Sequence, residues 1–300
     1  MSLPFTSIQA AIGVHNERIV TWTMQSNTVY PANSILQVEN SRAGGPWEVL
    51  ANDLADSCFF IDTRRRNYNK YMNECYRLRL TIPESASTPK QEYVSDIVQA
   101  GQFQAYPFSE EAENVIRMAE KTIELSGVTG VLLKKKHWGV RCEHCTDFDD
   151  QMTVNEHCPW CLGTGFAGGF YNGISMALIK DKIDRVEKQT QSNVEEQEKI
   201  TGRCIAFPWI RHGDVWVEDK TNKRYFVNGV TPTSSYKEVD LIYAIELNKI
   251  EYTDVMYSKA ADAKVEVKDL WDSAHVEYTP ALEEKLEKDT MDLWEEDFKD

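Results

Sequence analysis

Four of the seven cysteines in this 300-residue chain form two closely spaced pairs, and their spacing is typical of a metal site. Cys142 and Cys145 form the first pair, Cys158 and Cys161 form the second, and the array follows the pattern C-x2-C-x12-C-x2-C. Two residues between paired cysteines allow a tight turn that points both thiolates at one ion, and two such turns complete a tetrahedral shell. Such a closed thiolate shell usually holds Zn2+, so the sequence predicts one structural zinc with these four ligands.

Other interpretations of the two pairs are free thiols, a thioredoxin-like redox pair at Cys158 and Cys161, and a catalytic zinc. A redox pair requires a βαβ context that this sequence lacks, and a catalytic zinc keeps open one position that four cysteines close. His144 and His157 are able to replace a cysteine ligand, but we interpret them as solvent-facing residues of the turns. The charge of four thiolates around Zn2+ is expected to be offset by nearby basic residues, namely Lys134, Lys135, Lys136 and Arg141.

The remaining motifs indicate no catalytic chemistry. Residues 163–168 match the dinucleotide-binding pattern G-x-G-x-x-G, but they follow a cysteine turn rather than a strand, so we interpret the glycines as turn residues around the metal. Arg64-Arg65-Arg66 is typical of a solvated loop, with contact to DNA or an acidic neighbour as the alternative. The sequence contains no H-E-x-x-H, Walker or G-x-S-x-G motif and no evident nucleophile with its base, so we expect a protein that is not an enzyme.

Composition and charge exclude further classes of protein. The chain has 33 Lys and Arg against 48 Asp and Glu, and the net charge of −15 argues against a protein that binds nucleic acid by neutralising phosphates. A mean hydropathy of −0.49 and the lack of an apolar run of about twenty residues argue against a membrane span. The first residues show no secretory signal, so we expect synthesis in a reducing cytoplasm without a disulfide framework.

Hydrophobic patterning predicts a mainly β, multi-domain fold with one main helix, a zinc-ribbon-like insertion and a small antiparallel β barrel or meander. The helix is expected between the N-cap Ser109 and Gly127, whereas the polar stretch from Asp181 to Lys199 is expected to be an exposed loop or a solvated helix. The predicted segments are an N-terminal arm at 1–13, a β sandwich at 14–85, a linker and helix at 86–135, a zinc-binding segment at 136–173, the barrel or meander at 174–255 and an acidic C-terminal tail at 256–300. The pattern of the tail fits both a disordered segment and one that docks on a partner.

Three stretches of the sequence carry a resemblance to a known family. The first consists of Lys136-His137-Trp138-Gly139-Val140-Arg141-Cys142 through Cys145, Cys158-Pro159-Trp160-Cys161-Leu162-Gly163-Thr164-Gly165-Phe166 and Gly168-Gly169-Phe170-Tyr171. It resembles the zinc segment of structural proteins from the neck of tailed bacteriophages. The second is similar to the head-closure barrels of such phages and consists of Gly213-Asp214, Arg224-Tyr225-Phe226-Val227 and Leu241-Ile242-Tyr243. The third resembles a fibronectin type III sandwich, with Trp22 on an early core strand and Tyr76 on a late one, and also includes Val38-Glu39, Trp47 and Arg77-Leu78-Arg79.

This resemblance implies a non-enzymatic virion component that assembles as a homo-oligomeric ring in the phage neck. Its partners would be portal or adaptor proteins on the head side and tail proteins on the other side, with the host cytoplasm as its location before assembly. Genomic DNA would pass through the ring without sequence-specific binding, and an acidic inner surface fits that role. The acidic tail and the polar stretch at 181–199 are not part of the family pattern.

Residues Cys158 to Gly165 also follow the pattern Cys-x-x-Cys-x-Gly-x-Gly, which resembles one zinc repeat of Hsp40-type co-chaperones. That resemblance implies a zinc-containing co-chaperone or adaptor module. However, the first cysteine pair lacks the glycines, only two of the four expected repeats are present, and no His-Pro-Asp motif occurs. A zinc-ribbon adaptor for nucleic acid is a third interpretation, which the acidic charge disfavours.

Overall fold

The computed structural model describes residues 4–12, 18–26, 28–42, 44–62, 64, 74–84, 89–99, 110–145, 157–189, 194–206, 209–236, 239–261 and 263–265. The structure is mainly β, as predicted. The first strands are β1 (Phe5–Ile12), β2 (Arg18–Met24), β3 (Ile35–Arg42), β4 (Glu48–Ala51), β5 (Phe59–Asp62), β6 (Glu74–Ile82), β7 (Gln91–Val94) and β8 (Val98–Gln99). They are followed by α1 (Glu110–Ser126), β9 (Val128–Leu133), β10 (Gly173–Gln189), β11 (Val194–Ile205), β12 (Val215–Glu218), β13 (Arg224–Tyr236), β14 (Val239–Lys249), a 3-10 helix (Val255–Ser258) and β15 (Ala263–Val265).

The first strands form two sheets that share one apolar core, here called the sandwich. One sheet has the order β1-β2-β5, and the other has the order β4-β3-β6-β7, with β8 also paired to β6. Trp22 on β2 and Tyr76 on β6 are both buried in the shared core. Strand β1 lies in the stretch that the sequence assigned to an N-terminal arm, and it pairs with β2 from Phe5 to Ile12. The two-sheet core therefore begins upstream of residue 14.

Six strands close into an antiparallel barrel, which confirms the barrel predicted for this part of the chain. Neighbours in the order β9, β10, β11, β14, β13, β12 are hydrogen-bonded, and β12 pairs back to β9. The barrel strands carry fully buried side chains, among them Leu178, Trp216 and Ile245. At the outer side of β10, β15 adds a short parallel strand.

Strand β9 belongs to the barrel, although the sequence placed it in a linker and helix. Its last four residues, from Gly130 to Leu133, are all buried. A strand that is covered on both faces does not alternate between apolar and polar residues, so the period-2 signal is absent. Because β9 and β10 are neighbours in the barrel, the cysteine segment between them is an insertion into the barrel.

The prediction of an exposed loop or solvated helix at residues 181–199 was wrong, because β10 and β11 form a long hairpin there. Lys182 pairs with Thr201, and the ladder continues until Gln189 pairs with Val194. Strand β9 pairs with β10 only as far as Leu178, so the hairpin extends beyond the barrel wall. Lys182 and Ile183 are both exposed, and consecutive strand residues point to opposite faces. Where a strand is exposed on both faces, as at these residues, it carries little hydrophobic alternation for a sequence pattern to detect.

The helix predicted upstream of Gly127 is confirmed as α1, which begins at Glu110 and ends at Ser126. It packs against β10, β11 and β14 of the barrel, with Ile123 buried. The proposed N-cap Ser109 lies outside the described residues. Within the described ranges, no helix combines the length and apolar character that a bilayer span requires.

Residues 250–261 pack on the barrel through Arg224 at the start of β13. Its guanidinium donates to the carbonyl oxygens of Met256 and, at 2.6 Å, Lys259. Its backbone N–H donates to the hydroxyl of Tyr257 at 3.1 Å. The sequence assigned residues 256–300 to an acidic tail, and of these the residues after 265 lie outside the described part of the chain.

Candidate metal centre

The four predicted ligands come together in the structure. The Sγ atoms of Cys142, Cys145, Cys158 and Cys161 lie within 4.8 Å of one another, and all four residues are buried. In the described part of the chain, no other group of three or more His, Cys, Asp or Glu side chains converges in this way. The prediction that these residues form one potential metal site is thus confirmed.

The distances between the sulfurs exclude disulfide bonds, and one of the two has the length expected in a tetrathiolate metal site. The Sγ atoms of Cys142 and Cys158 are 3.9 Å apart, and those of Cys145 and Cys161 are 3.0 Å apart. A disulfide requires about 2.05 Å, whereas a tetrahedron with Zn–S bonds of about 2.3 Å has edges of about 3.8 Å. The first distance matches such an edge, and the second lies between the two lengths. Four sulfur donors also favour Zn2+ over cations that prefer oxygen ligands.

A turn with left-handed backbone conformation holds the second cysteine pair. The N–H of Leu162 donates to the carbonyl of Cys158 at 2.8 Å, and the N–H of Thr164 donates to the carbonyl of Cys161 at 3.0 Å. Leu162 and Gly163 have φ values of 51° and 76°. The chain thus reverses directly after the fourth thiol, which leaves both sulfurs of the pair on the inner side of the turn.

The glycines of the G-x-G-x-x-G match turn the chain around the cysteines, as predicted. Gly163, Gly165 and Gly168 have φ values of 76°, 79° and 76°, and no helix follows them before β10 begins. The carbonyl of Gly165 accepts the N–H of Cys142 at 2.9 Å, and the N–H of Ala167 donates to the carbonyl of Val140 at 2.8 Å. These bonds join the two cysteine turns into one unit.

The thiols of Cys142, Cys145 and Cys158 differ in how readily they ionise. Burial opposes the ionisation of Cys158, but the backbone N–H groups of Cys161 and Trp160 outweigh it and lower the pKa of this thiol to about 7. Burial raises the pKa of Cys142 and of Cys145, and at Cys145 hydrogen bonding to the Cys161 sulfur raises it further. A metal cation at the centre of the cluster supplies the positive charge that favours the thiolate form of all four.

The two histidines near the cysteines lie on the surface and are not part of the cluster. The ring of His144 stacks on Trp160, with centroids 4.8 Å apart and an interplanar angle of 25°. Trp160 lies between the two cysteines of the second pair and is 62% exposed. The stacked rings therefore form part of the outer surface of the cysteine segment.

Two of the lysines expected to offset the thiolate charge bind carboxylates in the flanking lobes instead. The ammonium of Lys134 lies 3.0 Å from Oδ2 of Asp214, which precedes the barrel strand β12. The ammonium of Lys136 lies 2.5 Å from Oδ1 of Asp56 in the sandwich and donates to the carbonyl of Ala167 at 2.9 Å. These lysines fasten the cysteine segment to both lobes.

Aromatic residues of the cysteine segment complete the cores on either side of it, a role that the sequence did not reveal. Trp138 and Tyr171 are buried in the sandwich core beside Trp22. Phe170 instead packs with Val215 and other apolar residues of the barrel strands. Their aromatic character next to the cysteine turns was the available signal, but nothing local to the chain indicates which lobe each ring enters.

The side chain of Arg64 binds an acidic neighbour, which is the alternative that the sequence offered to a solvated loop. Its guanidinium donates to both carboxylate oxygens of Asp62, at 2.9 and 2.8 Å, and to the amide oxygen of Asn40 at 3.1 Å. Asp62 and Asn40 are buried, so Arg64 has a structural role at the edge of the sandwich. Arg65 and Arg66 lie outside the described residues.

No protein-family model matches this chain, and a search of the curated proteins finds no match either. The features from which a function is inferred are therefore the cysteine centre, the two lobes that it joins and the distribution of charge.

Proposed function

We propose that the cysteine centre holds one structural Zn2+ ion. The supporting observation is the set of four buried sulfur donors within 4.8 Å, since a shell of four cysteines leaves no position for water or substrate. When bound, the ion stabilises the fold of the cysteine segment, because folding and metal binding are coupled in such sites.

Elemental analysis of freshly purified, reduced protein tests the zinc proposal, and we expect one zinc per chain. Cobalt substitution tests the coordination, because Co2+ in a closed tetrathiolate site gives intense visible bands and has no exchangeable water. A chain that contains no zinc, or a cobalt spectrum that indicates a bound water, contradicts a structural zinc.

We propose further that this protein is a structural component of the neck of a tailed bacteriophage. It would assemble there as a ring between portal or adaptor proteins and tail proteins, after synthesis in the host cytoplasm. The observation that carries the proposal is the order of parts in one compact unit that ends at Val265: a β sandwich, a cysteine centre and a closed antiparallel barrel. This is the order that the resemblance implies. Such a protein works through its interfaces and not by catalysis.

The start of strand β12 supports the likeness to head-closure barrels, for which the resemblance implies a hairpin at this place. Strands β12 and β13 pair antiparallel, with Val215 opposite Phe226. The N–H of Gly213 donates to the carbonyl of Val227 at 3.1 Å, and the N–H of Val227 donates to the carbonyl of Asp214 at 2.9 Å. The Gly-Asp turn and the Arg-Tyr-Phe-Val stretch are thus adjacent.

We also propose that the sandwich is fibronectin III-like. Trp22 lies on the early strand β2 and Tyr76 lies on the late strand β6, and both are buried in the core between the two sheets. These are the places that the resemblance implies for the two aromatic residues. A solved structure in which the two sheets had a different strand order would contradict this assignment.

Light scattering of the full-length protein mixed with purified portal and tail proteins tests the neck proposal. We expect a complex far heavier than 34.5 kDa, and electron microscopy of the intact particle should locate the ring. The absence of any complex with either component contradicts the proposal. A co-chaperone would instead suppress client aggregation and stimulate an Hsp70 ATPase, and a nucleic-acid adaptor would bind DNA with a steep salt dependence.

A further inference from the structure

A cavity of about 320 Å3 lies where the sandwich, the cysteine segment and the barrel meet, and we call it the junction cavity. Trp22 lines it from the sandwich, Trp138 and Tyr171 line it from the cysteine segment, and Arg211 lines it from the loop before β12. Its volume falls in the range of small-molecule sites, about 300–1,000 Å3. The described residues that line it do not include the four cysteines of the metal centre, so it is a separate site.

Three buried donor groups in the wall of the junction cavity have no acceptor among the described residues. They are the indole N–H of Trp22, the indole N–H of Trp138 and the hydroxyl of Tyr171. These side chains are at most 4% exposed. A buried donor without an acceptor costs about 1–3 kcal/mol, so native proteins rarely leave several of them together. These atoms are closed off from the cavity space as well as from solvent, so they make its wall polar but do not by themselves identify a ligand.

Positive charge adjoins the junction cavity, although the whole chain carries a net charge of −15. Lys135 and Arg211 both line the cavity, and no carboxylate in the described ranges forms an ion pair with either side chain. Asp214 also lines it, but that carboxylate binds the Lys134 ammonium at 3.0 Å and accepts the backbone N–H groups of Lys135 and Arg211 at 2.9 and 2.8 Å. Two cationic side chains therefore remain for a ligand.

The lowered pKa of His137, which also lines the cavity, agrees with a positive local potential. Burial lowers the pKa of His137, and the charge of Lys135 lowers it further. Arg211 and Lys134 act in the same direction, whereas Asp214 opposes them without reversing the shift. Neighbours that oppose a positive charge on this ring favour an anion at the same place.

We propose that the junction cavity binds a small organic anion with a flat aromatic or heterocyclic body and a carboxylate or phosphate head. Trp209 and Phe59, whose side chains are partly exposed, provide apolar, aromatic surface for the flat body, and the buried rings of Trp22 and Trp138 line the same cavity. Lys135 and Arg211 provide charge-assisted hydrogen bonds for the head. A cavity of this volume admits one ring system with its head and not a nucleic-acid duplex. The neck assembly plays no part in this binding, whereas the cysteine segment, which contributes Lys135, Trp138 and Tyr171 to the wall, is the one that the proposed zinc stabilises.

NMR of 15N-labelled tryptophan in the full-length protein tests this proposal, because the chain has eight indole groups that report on eight places. The probes are AMP, benzoate and inorganic phosphate, and Trp→Phe substitutions at Trp22, Trp138 and Trp160 assign the signals. We expect AMP or benzoate to shift the Trp22 and Trp138 signals saturably, while the signal of the exposed Trp160 stays in place. Inorganic phosphate, which has no flat body, should bind more weakly.

Reversing the charges of Lys135 and Arg211 tests whether these two side chains bind the anion. The double variant Lys135→Glu with Arg211→Glu keeps both backbone N–H groups that bind Asp214, and we expect it to raise the Kd about tenfold or more. Lys182→Glu is the matched control, because this lysine is exposed on β10 and does not line the cavity. Its Kd should equal that of the unchanged protein.

Four results would overturn the proposal. The first is the absence of any shift at Trp22 and Trp138 with all three probes, which leaves a cavity for water only, and the second is a shift of the Trp160 signal as large as theirs. The third is a double variant that binds as tightly as the unchanged protein. The fourth is inorganic phosphate that binds as tightly as AMP and benzoate. Tighter binding of an oligothymidylate than of AMP would likewise replace a small-molecule site by a nucleic-acid surface.

Discussion

The N–H groups of Cys161 and Trp160 lie close to the sulfur of Cys158 and favour its thiolate. Cys158→Ser replaces this sulfur by a hydroxyl, which is a poor ligand for Zn2+, so we expect the zinc content to fall from one per chain to nearly none. Elemental analysis after gel filtration measures the change. Cys75→Ser is the control, because this partly buried cysteine on β6 lies outside the cluster and its loss should leave the zinc in place. Retention of zinc by the Cys158 variant would show that the cluster is not the site.

Gly169 lies so close to the carbonyl group of Cys161 that a side chain at this position would collide with it. It has a φ of 70°, and a Cβ atom at this position would lie 2.7 Å from the carbonyl oxygen of Cys161. Gly169→Ala should therefore destabilise the fold by more than the roughly 1–2 kcal/mol that left-handed backbone alone costs an alanine. Chemical denaturation measures this loss of unfolding free energy.

The matched control for that substitution is Gly44→Ala, because Gly44 has a φ of 76° and no atom lies within 4 Å of the place that a Cβ would take. The difference between the two variants isolates the contact with the Cys161 carbonyl from the cost of left-handed backbone. Gly169→Ala should also weaken zinc binding, whereas Gly44→Ala should not. Equal losses of stability would mean that the cysteine turn relaxes without cost.

At the scale of residues, the sequence predicted which four cysteines come together but not the contacts that hold them in place. The four cysteines could be identified because two tight turns require a fixed local spacing. The roles of Trp138 and Lys136 depend on what lies opposite them in space, the sandwich core and Asp56, and no local pattern encodes that. For the same reason, the sequence suggested that nearby lysines balance the thiolates, whereas Lys134 and Lys136 bind carboxylates.

Strands β3 and β6 are joined by an ion pair that makes the sandwich sensitive to acid. The carboxylate of Glu39 lies 2.6 Å from Nε of Arg77 and 2.7 Å from Nε of Arg79. Burial opposes the ionisation of Glu39, but the hydrogen bonds from Arg79 and Arg77 outweigh it and lower its pKa. Between the folded-state and the unfolded-state pKa of Glu39, the unfolded chain therefore binds more protons at this group than the folded chain does. The free energy of unfolding thus rises with pH across that interval.

Glu39→Gln should remove this contribution. The stabilisation is present above the unfolded-state pKa of about 4.3 and is lost as the pH falls from there through the lower folded-state pKa. We expect the variant to lose about 1.5–3 kcal/mol at pH 7, the worth of a hydrogen bond to a charged group, and to lose less additional stability than the unchanged protein below about pH 4. Denaturation at a series of pH values measures both effects.

Glu251→Gln is the control for the loss of one negative charge, because Glu251 is exposed in a turn after β14. Its unfolding free energy should follow that of the unchanged protein at every pH. A Glu39 variant with the same acid dependence as the unchanged protein would assign the acid sensitivity to other carboxylates.

At the scale of elements, the sequence predicted a strand correctly where one face of the strand is buried and the other is more exposed. β6 has this asymmetry, with buried and partly buried residues in alternation, and the sequence predicted a strand there. β9 is covered on both faces, and Asp181, Lys182 and Ile183 of β10 are all exposed, so neither stretch has the alternation. The pairings of these strands come from long-range contacts that a local pattern does not contain.

At the scale of the whole molecule, the cysteine segment contacts both lobes. On the sandwich side, the N–H of Gly139 donates to the carbonyl of Thr28 at 3.0 Å, and the N–H of Tyr30 donates to the carbonyl of Gly139 at 3.3 Å. On the barrel side, the ammonium of Lys259 donates to the carbonyl of Gly168 at 2.9 Å. A metal ion that orders this segment would therefore affect the stability of its contacts with both lobes.

Removal of the metal should loosen these contacts before it affects the barrel itself. We expect a strong zinc chelator under reducing conditions to speed hydrogen exchange at residues 134–145, 157–172 and 28–30 about tenfold or more, while exchange along β11 and β14 stays unchanged. The reason is that the β11–β14 ladder, from Lys199 paired with Asn248 to Ile205 paired with Ile242, has its own hydrogen bonds and buried residues. Hydrogen–deuterium exchange with mass spectrometry measures each segment, and a sample with excess zinc added back controls for direct effects of the chelator. Uniformly faster exchange in the barrel would make the ion a requirement for the whole fold, and unchanged exchange at residues 28–30 would mean that the sandwich keeps its contacts without it.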